Sequence, residues 1–268
     1  MKAVELLEQY QQGKRQFQFA NLVGADLSGL DLANVDLAGS DLSEAKLGAS
    51  NLTGANLVNS KFIGADLRGA QLDRANLTQA NLTEANLNRT SLQAADLTEA
   101  ELMGASLHQA NLHGADLRRS DLKETFLVEA NLSESRLEGA NLHQANLSQA
   151  SLQGADLAKA NLEQANLTCV QASQAQLPEA NLTEAVLSGA NLTGANLQDA
   201  NLSKAILSNV VMAQANLRSA NLYRAKLNWA NLQAAILREA VLLDAYLVRA
   251  SLRDADLTGA ILPDGSVF

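Results

Sequence analysis

The chain is short of almost everything from which a conventional core or an active site is built. Of its 268 residues only 3% are aromatic, although 47% are apolar. Its interior must therefore be filled by Leu and Ala, not by the Phe, Tyr and Trp that supply much of the buried area elsewhere. A single cysteine, Cys169, excludes an intrachain disulfide. No apolar run approaches the roughly 18 residues of a membrane span. The opening MKAVELLEQY has no apolar leader segment and already carries Glu5 and Glu8, so the expectation is a cytoplasmic protein without a membrane role. Bases are outnumbered, 20 to 29, for a net charge of −9. That balance argues against direct nucleic-acid binding, which needs Lys and Arg to displace counterions, and suits a basic protein partner.

What the chain has instead is a repeat. Written in fives from Arg15, the frame never breaks: of fifty central positions from Phe17 to Leu262, 46 are Leu, the exceptions being Phe17, Phe62, Ala172 and Met212. Two residues earlier stands a small residue, usually Ala, and between them mostly Asn or Asp, so the unit reads A-(N/D)-L-x-x. Period five suits neither standard element. On an α-helix, Leu every fifth residue steps about 140° and forms no stripe. On a strand, an odd period sends successive Leu to opposite faces. A coil that turns a corner at every unit points all the Leu and Ala inward, and stacked coils then share one core. Central Leu is expected to contribute roughly 1.5–3 kcal/mol per buried side chain. The Asn/Asp position and both x positions are expected to point outward, with Asn and Asp bonding nearby backbone at the turn. Val170 beside the small Ala172, and Val210 beside Met212, read as compensated core packing.

This motif, in one frame over more than nine-tenths of the chain, resembles that of the pentapeptide-repeat proteins, in particular the long uninterrupted members of the cyanobacterial type. The resemblance implies an all-β solenoid, a right-handed quadrilateral parallel β-helix with four units to a coil. Fifty units would then make about 12.5 coils and, at about 4.8 Å per coil, a rod roughly 60 Å long. Residues 1–13 read as an N-terminal capping helix, with Ala3, Val4, Leu7 and Tyr10 on one face and Gly13 as its stop. Residues 14–264 read as the repeat region. In 265–268 a short tail follows the Pro263-Asp264-Gly265 turn. The last coil is expected to be poorly covered, or covered by a second copy.

Assigning units to sides modulo 20 separates the surface. Two adjacent sides, those of Leu22 and Phe17, carry twenty outward acids against ten outward bases. Asp41, Glu44, Glu84, Asp96, Glu99, Glu101, Asp116, Asp121 and Glu124 mark this acidic edge, interrupted by Arg118, Arg119 and Arg136. The side of Leu27 is the odd one out. Phe126 stands outward on it, and Val186, Ile206, Lys226 and Tyr246 occupy one outward slot in four successive coils, with Trp229 and Val248 nearby. Two readings of this ladder stand open: β-branched and aromatic residues that steady stacked strands, or a contact patch for a protein partner. Outward apolar residues gather generally in the last third (Val211, Ile236, Val241, Leu243, Ile261), which suggests a homodimer through that third.

Nothing assembles into catalytic chemistry. His108, His113 and His143 fall on three different sides, Cys169 sits at an outward corner, and paired acids such as Asp41 with Glu44 stand on a surface, whereas a catalytic carboxylate needs a desolvated pocket. No cofactor and no metal are expected. The Asn-Leu-Thr and Asn-Leu-Ser sequons, as at Asn51 and Asn131, are generated by the repeat itself. Two function classes remain. One is a non-catalytic interaction scaffold of unidentified partner. The alternative is a DNA mimic, since the resemblance extends to family members that bind DNA gyrase in place of its substrate. An edge of about −10 falls well short of the roughly 35 charges that about 60 Å of duplex carries.

Overall fold

The structure, a computed structural model, describes residues 3–268. Among the described residues there is one helix, α1, which spans Ala3–Gln11. The chain divides into two compact units, Met1–Asn131 and Leu132–Phe268, and each is built from the same coil. Within each, parallel bridges join a residue to its counterpart 20 positions on: Gln16 to Asp36, Asn21 to Asp41, Asp26 to Lys46 and Asp31 to Asn51 in the first unit, Val186 to Ile206 in the second. A bridge at every fifth residue with a partner 20 later makes four ladders, hence four sides. The β structure consists of isolated bridges and not of extended strands. The reason is geometric: the chain turns immediately after each bridging residue, so no side is long enough for a continuous ladder.

A five-residue unit with Asn or Asp before its Leu can account for all its backbone N–H groups, as buried or half-buried backbone must. In Asp41–Ala45, Asp41 N–H donates to the coil before (Ala20 O, 2.9 Å), while Leu42 and Glu44 donate to the coil after (Lys61 O, 2.7 Å; Ile63 O, 2.9 Å). Ala45 N–H closes the turn on Leu42 O (3.0 Å). Ser43 N–H is left over, and the Asp41 side chain accepts it at 3.0 Å. This is the physical reason for Asn or Asp before the central Leu. Asn adds a second bond, its Nδ2 donating along the ladder from Asn161 to Asn141 and from Asn181 to Asn161, both at 3.1 Å. At Ser91, Ser106 and Tyr246 the acceptor comes from the first turn residue one coil earlier: Asp73 for Gln93 N–H, Asn88 for His108 N–H, Asn228 for Val248 N–H.

The second turn residue has positive φ in every unit from Phe19 to Gly259, and most of these residues are not glycine. Positive φ confined to the third residue of a hydrogen-bonded four-residue turn is the type II pattern. An L-residue there costs roughly 1–2 kcal/mol, a cost that the buried Leu and the inter-coil bonds offset. In-frame glycines occupy this slot with the one exception of Gly48.

The interior is as the repeat demands: central Leu and the small residue two before it are buried through the coils, including the Val170–Ala172 and Val210–Met212 pairs. Buried Ser and Thr replace Ala at Ser40, Ser50, Ser60, Thr90, Ser120, Thr125 and Ser135. Each hydroxyl donates to a Leu or Phe carbonyl, as Ser50 Oγ does to Leu47 O at 2.7 Å. No buried side-chain polar atom among the described residues lacks a partner.

At the start, α1 ends in a Schellman motif: Lys14 N–H donates to Gln9 O (3.1 Å) and Gly13 N–H to Tyr10 O (2.9 Å), with Gly13 at φ 92°. The face turned inward differs from the expectation. Leu6 is fully buried and Val4 is 67% exposed, because Leu6 shares a face with Tyr10 one turn on. Tyr10 Oη donates to Ala33 O at 2.8 Å, and the Arg15 guanidinium lies over its ring at 3.8 Å. Residues 1 and 2 of the expected helix lie outside the described residues. At the other end the chain folds back: Ile261 pairs antiparallel with Val267, and Phe268 N–H donates to Ala260 O at 2.9 Å. The central Leu247, Leu252, Leu257 and Leu262 stay half-buried.

Candidate interaction surfaces

In the second unit Val186, Ile206, Lys226 and Tyr246 are bridged in succession. The outward slot is less outward than expected, however. Val186 and Ile206 are half-buried, because coils before and after cover the flanks of each bridging residue. The open part of the column lies further on: Trp229, Tyr246 and Val248 are 54%, 56% and 63% exposed, with Lys226 exposed beside them. The Arg249 guanidinium sits 4.3 Å from the Trp229 ring centroid, a cation–π contact that holds the indole upright. Trp229 N–H donates to Val248 O (2.9 Å), and Val248 N–H to Asn228 Oδ1 (3.1 Å). Trp229 occupies the left-handed slot at φ 63°, where a bulky side chain is strained and the core gains nothing from it. Val211, Ile236 and Leu243 are also exposed, while Val241 and Ile261 are half-buried. Phe126, 52% exposed, belongs to the first unit, in the column of Ser106.

The acidic residues singled out in the sequence all lie in the first unit. Asp41, Lys61, Asn81, Glu101 and Asp121 form one ladder; Asp96 and Asp116 are bridged in the neighbouring one. Bases stand among them. Arg119 pairs with Glu99 (2.8 Å), Arg118 with Asp116 (2.7 Å) and Lys123 with Glu124 (3.4 Å). Asn81 Nδ2 donates to Glu101 at 2.5 Å. The Ser43 hydroxyl and N–H hold the Asp41 carboxyl below its ordinary range. Glu44 and Glu84 are exposed at the left-handed slot. Arg136 lies in the second unit.

Among the described residues no three His, Cys, Asp or Glu side chains gather as metal ligands, and no helix is long and apolar enough to cross a membrane. The three histidines are half-buried first-turn residues on separate columns, and Cys169 is exposed.

The family model described as pentapeptide repeats (8 copies) matches overlapping stretches that run from residue 16 to residue 262. Among solved structures, HetL, a pentapeptide repeat protein involved in heterocyst differentiation regulation from the cyanobacterium Nostoc sp. strain PCC 7120, is 34% identical; the match covers 100% of both chains, with a TM-score of 0.47. A second pentapeptide repeat protein of Nostoc PCC 7120 is 38% identical over 37% of this chain and 80% of its own, with a TM-score of 0.36. QnrB1, a plasmid-mediated fluoroquinolone resistance protein, is 19% identical over 90% of this chain and 91% of its own, with a TM-score of 0.22. No curated protein sequence matches the chain.

Proposed function

The chain belongs to the pentapeptide-repeat family, and from that premise we propose that it is a non-catalytic protein-interaction scaffold, with the right-handed coil of its family, acting in the cytoplasm. The observation that carries this reading is the open column of Trp229, Tyr246 and Val248 with Arg249 stacked on the indole. Trp, Tyr and Arg are the residues that most often dominate binding energy at interfaces, and here their side chains stand outside the core. The partner fitted to this patch is a protein with an apolar ridge. A second copy of the chain is one such partner, since the half-buried leucines of the last coil gain from further cover.

The test is capture of interacting proteins by the wild type and by a Trp229→Ala/Tyr246→Ala variant. Loss of about 2 kcal/mol or more in binding, with unchanged thermal stability, is the expected result for paired hot-spot truncation. Equal binding by both proteins refutes this patch. The DNA-mimic reading finds less support: Asp116, Glu99 and Glu124 of its edge are paired with Arg118, Arg119 and Lys123. Inhibition of gyrase supercoiling by the purified protein would restore it.

A further inference from the structure

We propose that a cleft on the first unit binds a phosphate group. The cleft, of about 400 Å³, is lined by Arg68, Gly69, Asn88, Arg89 and His108, on the side where outward bases outnumber acids. Its donors are held ready by bonds made behind them. Arg89 Nε donates to Gln109 Oε1 at 3.1 Å, and Gln109 Nε2 donates to Glu129 at 2.8 Å. That chain turns the Gln109 oxygen toward Arg89 and leaves both terminal amino groups of the guanidinium without a protein acceptor. Asn88 Oδ1 accepts from Ser106 Oγ (2.7 Å) and from His108 N–H (2.8 Å), so its Nδ2 is a donor with no protein partner. His108 Nδ1 lies 3.0 Å from Val128 O. A carbonyl only accepts, so Nδ1 carries the proton and Nε2 is the unengaged nitrogen.

The charges favour an anion. Arg68 is forked onto Asp66 at 2.8 and 2.6 Å, and this pair is neutral in sum. Arg89 faces a neutral amide, and the carboxylate of Glu129 stands one coil beyond it. Gly69 leaves the mouth open, since a Cβ there would meet nothing within 4 Å. The guanidinium and the amide supply the donors of the cleft, while His108, whose Nδ1 proton is already given to Val128 O, lines it without donating. A tetrahedral phosphate offers acceptors in several directions and can engage both donors, whereas a planar carboxylate serves chiefly the guanidinium fork.

The test uses the full chain in a low-ionic-strength chloride buffer, with calorimetric titration of inorganic phosphate and, separately, of O-phosphoserine. Saturable one-to-one binding at millimolar or lower concentration is expected for so exposed a site. Tighter binding of phosphoserine identifies an esterified phosphate as the ligand, and equal binding identifies the free ion. Asn88→Asp keeps the acceptor for Ser106 and His108, as Asp73 does for Ser91 and Gln93 (2.5 and 2.9 Å), so the coil should be preserved while a donor becomes a negative charge. Binding should fall about tenfold or more in this variant, and likewise in Arg89→Gln, a residue that the same slot already holds at Gln79 and Gln109. Absence of saturable binding up to about 20 mM, or equal affinity in both variants at unchanged melting temperature, overturns the proposal.

Discussion

Both units carry outward ion pairs, but in the later coils of the second the exposed slots turn apolar and aromatic, with Trp229, Tyr246 and Val248 close together. Asp116, Glu99 and Glu124 each have a base within reach in their own unit. From Lys204 to Arg253 the second unit carries seven bases and two acids, and Arg224 and Arg238 pair with Asp244 and Asp256. Among the described residues neither Lys226 nor Arg249 makes an ion pair, and Arg249 stacks on Trp229 instead. The inner slot differs as well: hydroxyls recur in the first unit, while Ala and Val fill the second after Ser135. One coil geometry thus tolerates two surfaces, because the fold draws its stability from the Leu core and the inter-coil bonds. Charges that satisfy each other locally are mostly solvated surface, worth little to stability. Aromatic groups with no internal task are the ones to assign to a partner.

The largest expected effect separates an interior coil from the terminal one. Leu102→Ala, in a fully buried site of the first unit, should cost about 2–5 kcal/mol in urea unfolding. Leu252→Ala, at the half-buried end of the second, should cost less than about half as much. Equal costs would mean that the last coil is covered in solution, as by a second copy.

How far the sequence alone revealed these features follows from where the information lies. Period five and the Leu/Ala pair made the inward set legible, down to the Val170 and Val210 compensations, because a buried side chain is chosen by volume. The 20-residue register could be taken only from the family resemblance; the bridge pairs show it directly. Three features stayed hidden. Val4 looked like part of the packed face of α1, although Leu6 fills that place, since a nine-residue helix offers too little periodicity to settle its facing. Glycine is the commonest single residue of the left-handed slot, but Glu, Gln, Lys and Arg together outnumber it there, which disguises a backbone demand that Gly alone would announce. The residues that line the phosphate cleft, Arg68, Asn88, Arg89 and His108, are spread over three coils, and only the coil register brings them together.

Smaller effects sharpen the backbone account. Gly114 has φ +65° and open space where a Cβ would stand, so Gly114→Ala isolates the left-handed cost, at about 1 kcal/mol. Ala158→Gly, outside the left-handed slot, should not gain stability; if it does, chain entropy and not φ sets the glycine preference. The smallest effect is a pH response. The Thr258 hydroxyl, then Arg238, hold the Asp256 carboxyl at about 2, below its ordinary 3.8. A carboxylate with a depressed pKa contributes stability above its ordinary value and loses it as pH falls toward its folded value. Amide protection of Thr258 should therefore weaken between about pH 4 and pH 2 in the wild type and be flat across that window in Asp256→Asn, as read by hydrogen exchange.

The central claim, that the aromatic column and not the acidic edge meets the partner, is tested most directly by a photo-crosslinking amino acid placed at Val248 in one protein and at Glu44 in another. Both sites are exposed turn positions, so the two variants should fold alike. The account predicts a discrete protein adduct from position 248 and none from position 44. Adducts from position 44 alone would contradict it and return the function to the acidic edge.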